Sequence, residues 1–315
     1  MADMSNLAGA QDAPAVGRTG AGMARIGALE AGGTKMVLSV GTPEGEVLER
    51  EEIPTQGPHD CVDRMVAWFG SHNIDALGIG AFGPTGVNPA APSYGKILET
   101  PKTAWRHFDF LSAFDPLDIP IGYDTDVNVA CLGEVTYGSC KGLDTVVYLT
   151  VGTGIGAGVM VSGQLLHGML HPEAGHILLE IQPGDEGNCV CPYHDRCFEG
   201  LAAGPSIEHR WGKKGFELAD RPEVWDLEST YLAEGISTYV LCYSPQRIVL
   251  GGGVMKQTQL FPLVRKKVLE NLNGYLVTPE LADIDSYIVE AGCKGDQGVL
   301  GCIELGRRAL EAARA

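Results

Sequence analysis

The stretch RIGALEAGGTKMVLSVGTPEGEVLEREEIPT, residues 25–55, carries the reading of the fold. Apolar residues flank the Gly32–Gly33 pair, and TPEGE at 42–46 turns the chain a second time. That pattern predicts three antiparallel strands joined by tight turns. A second stretch, TVVYLTVGTGIGAGVMVSGQLL at 145–166, again reads strand, glycine turn, strand. The two turns lie about 120 residues apart, which points to a duplicated unit.

Around these hairpins the period changes. CVDRMVAWFGSH, 61–72, has helical spacing at Val62, Met65, Val66 and Phe69. DALGIGAFG, 75–83, reads as a short buried strand, and 84–118 as a long loop with some strand. IPIGYDTDVNVACLGEVTYG, 119–138, is a strand running into a helix that begins at about Val127. Downstream, 226–244 and 260–276 read as helices and QRIVLGGGVM, 246–255, as a strand meeting a glycine turn. A last helix is expected over 298–315. Strands first, then strands alternating with helices, in two halves: this is an α/β protein with a cleft between two lobes. The expected divisions are a tail at 1–24, an N-terminal lobe at 25–132 and a C-terminal lobe at 133–295. The final helix, 296–315, is expected to pack back on the first lobe.

Composition narrows the partners. The 315 residues are 44% hydrophobic and 20% charged, ordinary for a globular chain of this length. Forty acidic against 23 basic side chains give a net charge of −17, a field that repels nucleic acid and anionic membrane. Small molecules are left as partners. Nine cysteines is an odd number. Cys61, Cys131, Cys140, Cys242, Cys293 and Cys302 are scattered and read as reduced thiols of a cytoplasmic protein. Residues 1–24 are rich in small side chains with no apolar core, so they read as a disordered tail and not a signal peptide. No apolar run approaches the length of a membrane span.

A glycine turn between strands lets backbone N–H groups approach a ligand unhindered, and successive N–H groups cradle phosphate oxygens. EAGGTK, 30–35, adds the Thr34 hydroxyl and the Lys35 charge to Gly32 and Gly33; TVGTGIG, 150–156, adds Thr153 beside Gly154. Either turn alone reads equally as a plain hairpin. Neither has the P-loop spacing, and each leads into a strand, which excludes a dinucleotide fingerprint. With Gly251, Gly252 and Gly253 they suggest one nucleotide held from three sides.

GNCVCPYHDRCFEG, 187–200, carries the second signal. Cys191, His194 and Cys197 place three soft or borderline ligands on one short loop, a spacing that suits tetrahedral zinc and needs a fourth ligand. His176 in HPEAGH is the best candidate, while Cys189 competes with His194 for a place in the shell. A metal held by His176 and Cys197 would draw Glu173 and Glu199 together, where both can accept hydrogen bonds from a ligand.

The motifs EAGGTK, GYDTDVNVACLGE, TVGTGIGAGV, HPEAGH, the Cys/His loop and RIVLGGGVM stand in the order of the ROK sugar kinases, and the chain resembles that family over roughly 25–313. Glu30 stands where the wider family usually has Asp. That Glu, with YGKILETPK and CPYH, resembles the fructokinase branch. The resemblance implies a two-lobed, actin-like ATPase (ribonuclease H-like) fold with the nucleotide cleft between lobes, and γ-phosphate transfer from ATP to a hexose. Fructose is the expected acceptor; mannose, glucose or an N-acetylhexosamine is the alternative. It further implies Pro205 among the nucleotide contacts, His176 as a zinc ligand and sugar contact, a structural zinc (Zn2+) and a homodimer. The family's sugar-responsive repressors are a poor match, since only about 25 small, polar residues precede the first strand.

Phosphoryl transfer needs a group to accept the hydroxyl proton. Asp126 reads as an N-cap of the following helix; in the family motif Asp-x-Asn it falls on the catalytic base, with Asn128 beside the sugar. Asp124 reads as structural. Magnesium (Mg2+) accompanies the triphosphate, and Glu30 is either its positioner through water or a solvated strand-end acid.

Overall fold

The computed structural model describes residues 23–315, so the tail expected at 1–24 lies almost wholly outside the described residues. Two five-stranded sheets form the frame. In the first, β1 (Ile26–Ala31), β2 (Lys35–Gly41) and β3 (Val47–Pro54) are antiparallel, as their turns require. β4 (Ala76–Ala81) then pairs parallel with β1, and β5 (Ile121–Thr125) with β4, giving the order β3-β2-β1-β4-β5.

The second sheet follows the same plan. β6 (Val146–Val151), β7 (Ile155–Val161) and β8 (Gln164–Leu165) are antiparallel, and β9 (Arg247–Gly251) and β10 (Ile288–Glu290) add in parallel. Its order read from the antiparallel edge, β8-β7-β6-β9-β10, matches the first sheet strand for strand. The repeated hairpin seen in the sequence is therefore a repeated sheet.

Alternation along the strands assigns the faces. Met36, Leu38 and Val40 of β2 pack with Met65 and Phe69 of α1 (Pro58–Ser71), and with Trp105, Phe110 and Phe114 from the irregular segment between β4 and β5. Val37 points the other way, to Val299 and Ile303 of the last helix. α2 (Asp126–Thr136) lies between the sheets: Val129 joins the first lobe's core, while Ala130, Cys131 and Leu132 pack with Tyr148, Met160 and Val249 of the second. Its C-terminal end is fixed by Glu134. That buried carboxylate accepts from the N–H groups of Ser139, Gly292 and Cys293 and from the Ser139 hydroxyl at 2.9–3.0 Å.

The second lobe carries α3 (Phe198–Ala202), α4 (Gly204–Trp211), α5 (Pro222–Tyr243), α6 (Leu260–Leu272), α7 (Pro279–Ala282) and α8 (Ile284–Tyr287). α9 (Gln297–Arg314) closes the chain against β1, β4, β5 and α2. The crossing of α2 and α9 is so close that a Cβ on Gly301 would overlap the Val129 carbonyl, so only glycine serves there.

Candidate active site

A cleft of about 930 Å³ lies between the lobes. From the first lobe come Gly33, Phe82, Gly83, Pro84, Glu99, Thr100, Pro101, Lys102 and the start of α2; from the second, Gly152–Gly154, His171, Glu173, His176, Glu199, Gly252 and Gly253.

The carboxylate read as the base stands where β5 passes into α2. Asp126 is the first helical residue, not the cap. Thr125 is the N-cap, its Oγ1 accepting from the Asn128 N–H at 3.1 Å. Threonine and aspartate are both good caps, and adjacent ones cannot be ordered by type alone. Asp126 is thus spared for the cleft, with one oxygen accepting from the Val127 N–H at 2.9 Å. Burial first, then the nearby charge of Glu30, pushes its carboxyl up to about 7, outweighing the Val127 N–H and the His171 charge that favour ionisation. Half-buried Glu30, at the end of β1, is itself raised, chiefly by burial.

Asn128 does not reach the cleft. It is fully buried, and its Nδ2 donates to Asp124 Oδ1 at 2.7 Å. Asp124 also accepts from the Thr125 N–H and lies 2.9 Å from His167 Nε2, so it ties β5 to the segment after β8. Helix periodicity turns Asn128, expected beside the sugar, inward, where it holds Asp124.

The two glutamates meet in the cleft. Glu199, in the first turn of α3, accepts from the Ile155 N–H through Oε2 at 2.9 Å, and its Oε1 lies 3.9 Å from His176 Nε2. Glu173 Oε1 lies 2.8 Å from His171 Nε2. Burial raises the Glu173 carboxyl, but the His171 hydrogen bond and the charges of His171 and His176 outweigh it and leave it below the usual range. Each carboxylate thus spends one oxygen on the protein and keeps one for a ligand.

Behind them His176, Cys191, His194 and Cys197 converge, with their ligating atoms all within 4.8 Å of one another. His176 turns Nδ1 toward Cys191 Sγ, 4.0 Å away, which leaves Nε2 for the cleft; His194 Nδ1 is 3.4 Å from the same sulfur. Cys189 is not one of the four. Its thiol donates to the His194 carbonyl at 3.2 Å. Two sulfurs and two imidazoles are the donor set of a closed tetrahedral zinc site, and no hard cation would choose them. Burial pushes the Cys197 thiol up to about 12, a cost that a coordinated dication reverses by deprotonating it.

The glycine turns divide. Gly33, Thr153, Gly154, Gly252 and Gly253 line the cleft. Gly252 has φ +91°, which only glycine adopts without strain. Gly32 closes its turn by donating to the Lys35 carbonyl at 3.0 Å, and the Thr34 carbonyl accepts from the Thr55 N–H. Pro205 stands in the first turn of α4, whose Gly204 N–H donates to the Gly152 carbonyl at 2.8 Å. Gly251 ends β9 beneath the Tyr148 ring. None of Gly32, Thr34, Pro205 and Gly251 lines the cleft. Lys35 is turned away as well: its Nζ pairs with Glu52 at 2.8 Å, and the side chain is half exposed. Sequence reasoning named no role for Lys102, His171 or Phe82, although YGKILETPK ends at Lys102 and HPEAGH begins at His171. All three sit in or beside irregular segments without periodicity, so only a folded chain brings them to the cleft.

Known proteins resemble this chain over most of its length. The chain is 43% identical over 289 residues to the fructokinase of Pediococcus pentosaceus, covering 91% of this chain and 99% of that one. It is 38% identical over 289 residues to the fructokinase of Streptococcus mutans, covering 90% and 97%. Among solved structures, the ROK hexokinase of Thermus thermophilus superimposes with a TM-score of 0.74 at 23% identity, over 92% of this chain and all of that one. The ROK family model matches residues 26–309, nearly everything that the two repeated sheets and α9 contain, and the chain belongs to the ROK family.

Proposed function

We propose that the protein is an ATP-dependent fructokinase, transferring the γ-phosphoryl of MgATP to the 6-hydroxyl of D-fructose. The observation that carries this reading is the placement of Asp126 in one cleft with two carboxylates that each keep a free oxygen, in a chain whose relatives of similar length are fructokinases. Asp126 takes the proton of the attacking hydroxyl; a carboxyl held near neutrality is suited to that task. Glu173, Glu199 and His176 Nε2 orient the sugar hydroxyls. The glycine turns at Gly33, Gly152–Gly154 and Gly252–Gly253 receive the nucleotide, with Glu30 near enough to Asp126 to act on the magnesium through water.

His176, Cys191, His194 and Cys197 would hold zinc. With all four positions filled by protein, its chemistry is structural: it fixes the loop and the outer nitrogen of His176. Among the described residues no helix is long and apolar enough to cross a membrane. We place the enzyme in the cytoplasm and as a homodimer, the latter to be measured by sedimentation.

A coupled ADP-release assay across fructose, mannose, glucose and N-acetylmannosamine tests the reading. Fructose should give the highest kcat/KM. Preference for another hexose by tenfold, roughly 1.4 kcal/mol in transition-state binding, would overturn it.

A further inference from the structure

The cleft is short of positive charge for a triphosphate. Four carboxylates line it, from Glu99, Asp126, Glu173 and Glu199, in a chain of net charge −17. Lys35, which the sequence offered for the phosphates, is paired with Glu52 outside the cleft. Among the described residues that line the cleft, one side chain is a lysine or arginine, and it is Lys102. Its ammonium lies 5.9 Å from the centroid of the Phe82 ring and 3.9 Å from where a side chain on Gly33 would begin. It has no carboxylate partner within ion-pair reach among the described residues. The residue is half-buried, and its backbone is tied down, the N–H donating to Thr100 Oγ1 at 3.3 Å and the carbonyl accepting from the Trp105 N–H at 2.9 Å. Its backbone is held, and its cation, unpaired among the described residues, stands beside a phosphate-type turn. Such a cation is what a transferring phosphoryl group requires.

We propose that Lys102 is the phosphate cation of this cleft, contacting the γ-phosphoryl of MgATP as it passes to the sugar. The inference rests on the kinase reading above. In the transfer, the sugar oxygen bonds to the γ-phosphorus, the bond to the ADP oxygen breaks and the hydroxyl proton goes to Asp126. Lys102 keeps its own protons throughout and offsets charge on the equatorial oxygens.

The test uses the full-length protein and compares nucleotides with and without the third phosphate. Lys102→Met removes the charge at similar length, and Lys102→Arg keeps it. For Lys102→Met, kcat at saturating MgATP and fructose should fall on the order of 10²-fold. A non-hydrolysable ATP analogue should bind about tenfold or more weakly, while ADP affinity stays within about threefold, since a charge-assisted contact to one phosphate is lost. Lys102→Arg should recover part of both losses. A kcat within a few-fold of wild type, or equal weakening of ADP and the analogue, would overturn the proposal. A wild-type enzyme that prefers another hexose would overturn the fructose reading alone, because the binding comparison needs no sugar.

Discussion

Asp126 and Glu199 occupy the same local motif. Each stands in the first turn of a helix, α2 or α3, and each turn is closed by the preceding cap side chain accepting from a backbone N–H three residues on. Thr125 Oγ1 serves Asn128 in one, and Cys197 Sγ serves Gly200 in the other. Their foundations differ. α2 continues β5, an edge strand of the first sheet, and is packed by both lobes and by α9. α3 is five residues long, too short to persist by its own hydrogen bonds, and its cap is also a member of the Cys/His cluster. One carboxylate is placed by the core alone; the other stands on a short helix whose Phe198, Leu201 and Ala202 are buried in the second lobe's core but whose cap belongs to the Cys/His cluster. The position of a functional group can therefore be secure or conditional although the cap that starts its helix is built the same way.

The largest effect should come from chemistry on the secure side. Asp126→Asn leaves the Thr125 cap intact and removes only charge and basicity, so kcat should fall on the order of 10²–10⁴-fold with nucleotide affinity near wild type. Wild-type kcat/KM should decline as pH falls through about 7, because the base must be ionised, and the Asn variant should lack that limb. Stability runs the other way. A carboxyl raised in the fold is stabilising below its unfolded value of 3.8, and that contribution is lost as pH rises through about 7. The melting temperature of the Asn variant should therefore gain on wild type between pH 4 and pH 8. An Asn variant within a few-fold of wild-type kcat would make Asp126 no more than a helix residue.

On the conditional side, Cys197→Ser should lose the metal, measured as zinc per chain in protein purified without added metal. It should also raise KM for fructose by about tenfold or more, as a charge-assisted contact from Glu199 is misplaced. Cys189→Ser should keep both metal and KM, since Cys189 lies outside the cluster. Full zinc and an unchanged KM in Cys197→Ser would erase the contrast between the two helices.

The smallest effect isolates the cap itself. Thr125→Ala should cost about 1 kcal/mol of stability by denaturant titration while kcat changes little. A large loss of kcat there would mean that α2 depends on its cap as α3 is proposed to depend on a metal in the Cys/His cluster.

Much of this was legible in the chain because it is written in local patterns. The hairpins at 25–55 and 145–166 have turn glycines and alternation, and the cluster at 191–197 has ligand spacing; both kinds of signal survive without a fold. What was not legible depends on direction in space. Asn128 and Asp126 are two residues apart on one helix and point to different places, one to Asp124 and one to the cleft. Lys35 sits beside a phosphate-type turn in sequence yet pairs with Glu52, because alternation along β2 puts it on the same face as Val37, whose partner on β3 is Glu52. Lys102 and His171 carry no periodic signal at all; the long segment between β4 and β5, and the one after β8, bring them in.

The closure of the first sheet by α9 bears on how the protein is made. The Cys302 thiol donates to the Leu29 carbonyl across 273 positions of chain. At about 5–20 residues per second of synthesis, roughly 14–55 s separate the emergence of β1 from that of its partner. Throughout that interval Ile26, Ala28, Val37 and Ala76 lack the apolar side chains of α9 that cover them in the finished fold. Ribosome-bound chains arrested before Gln297 should be cut readily by protease within residues 26–81, and arrest after Arg314 with a linker long enough to clear the exit tunnel should protect them. Equal protection in both would mean that the sheet is completed by α2 alone.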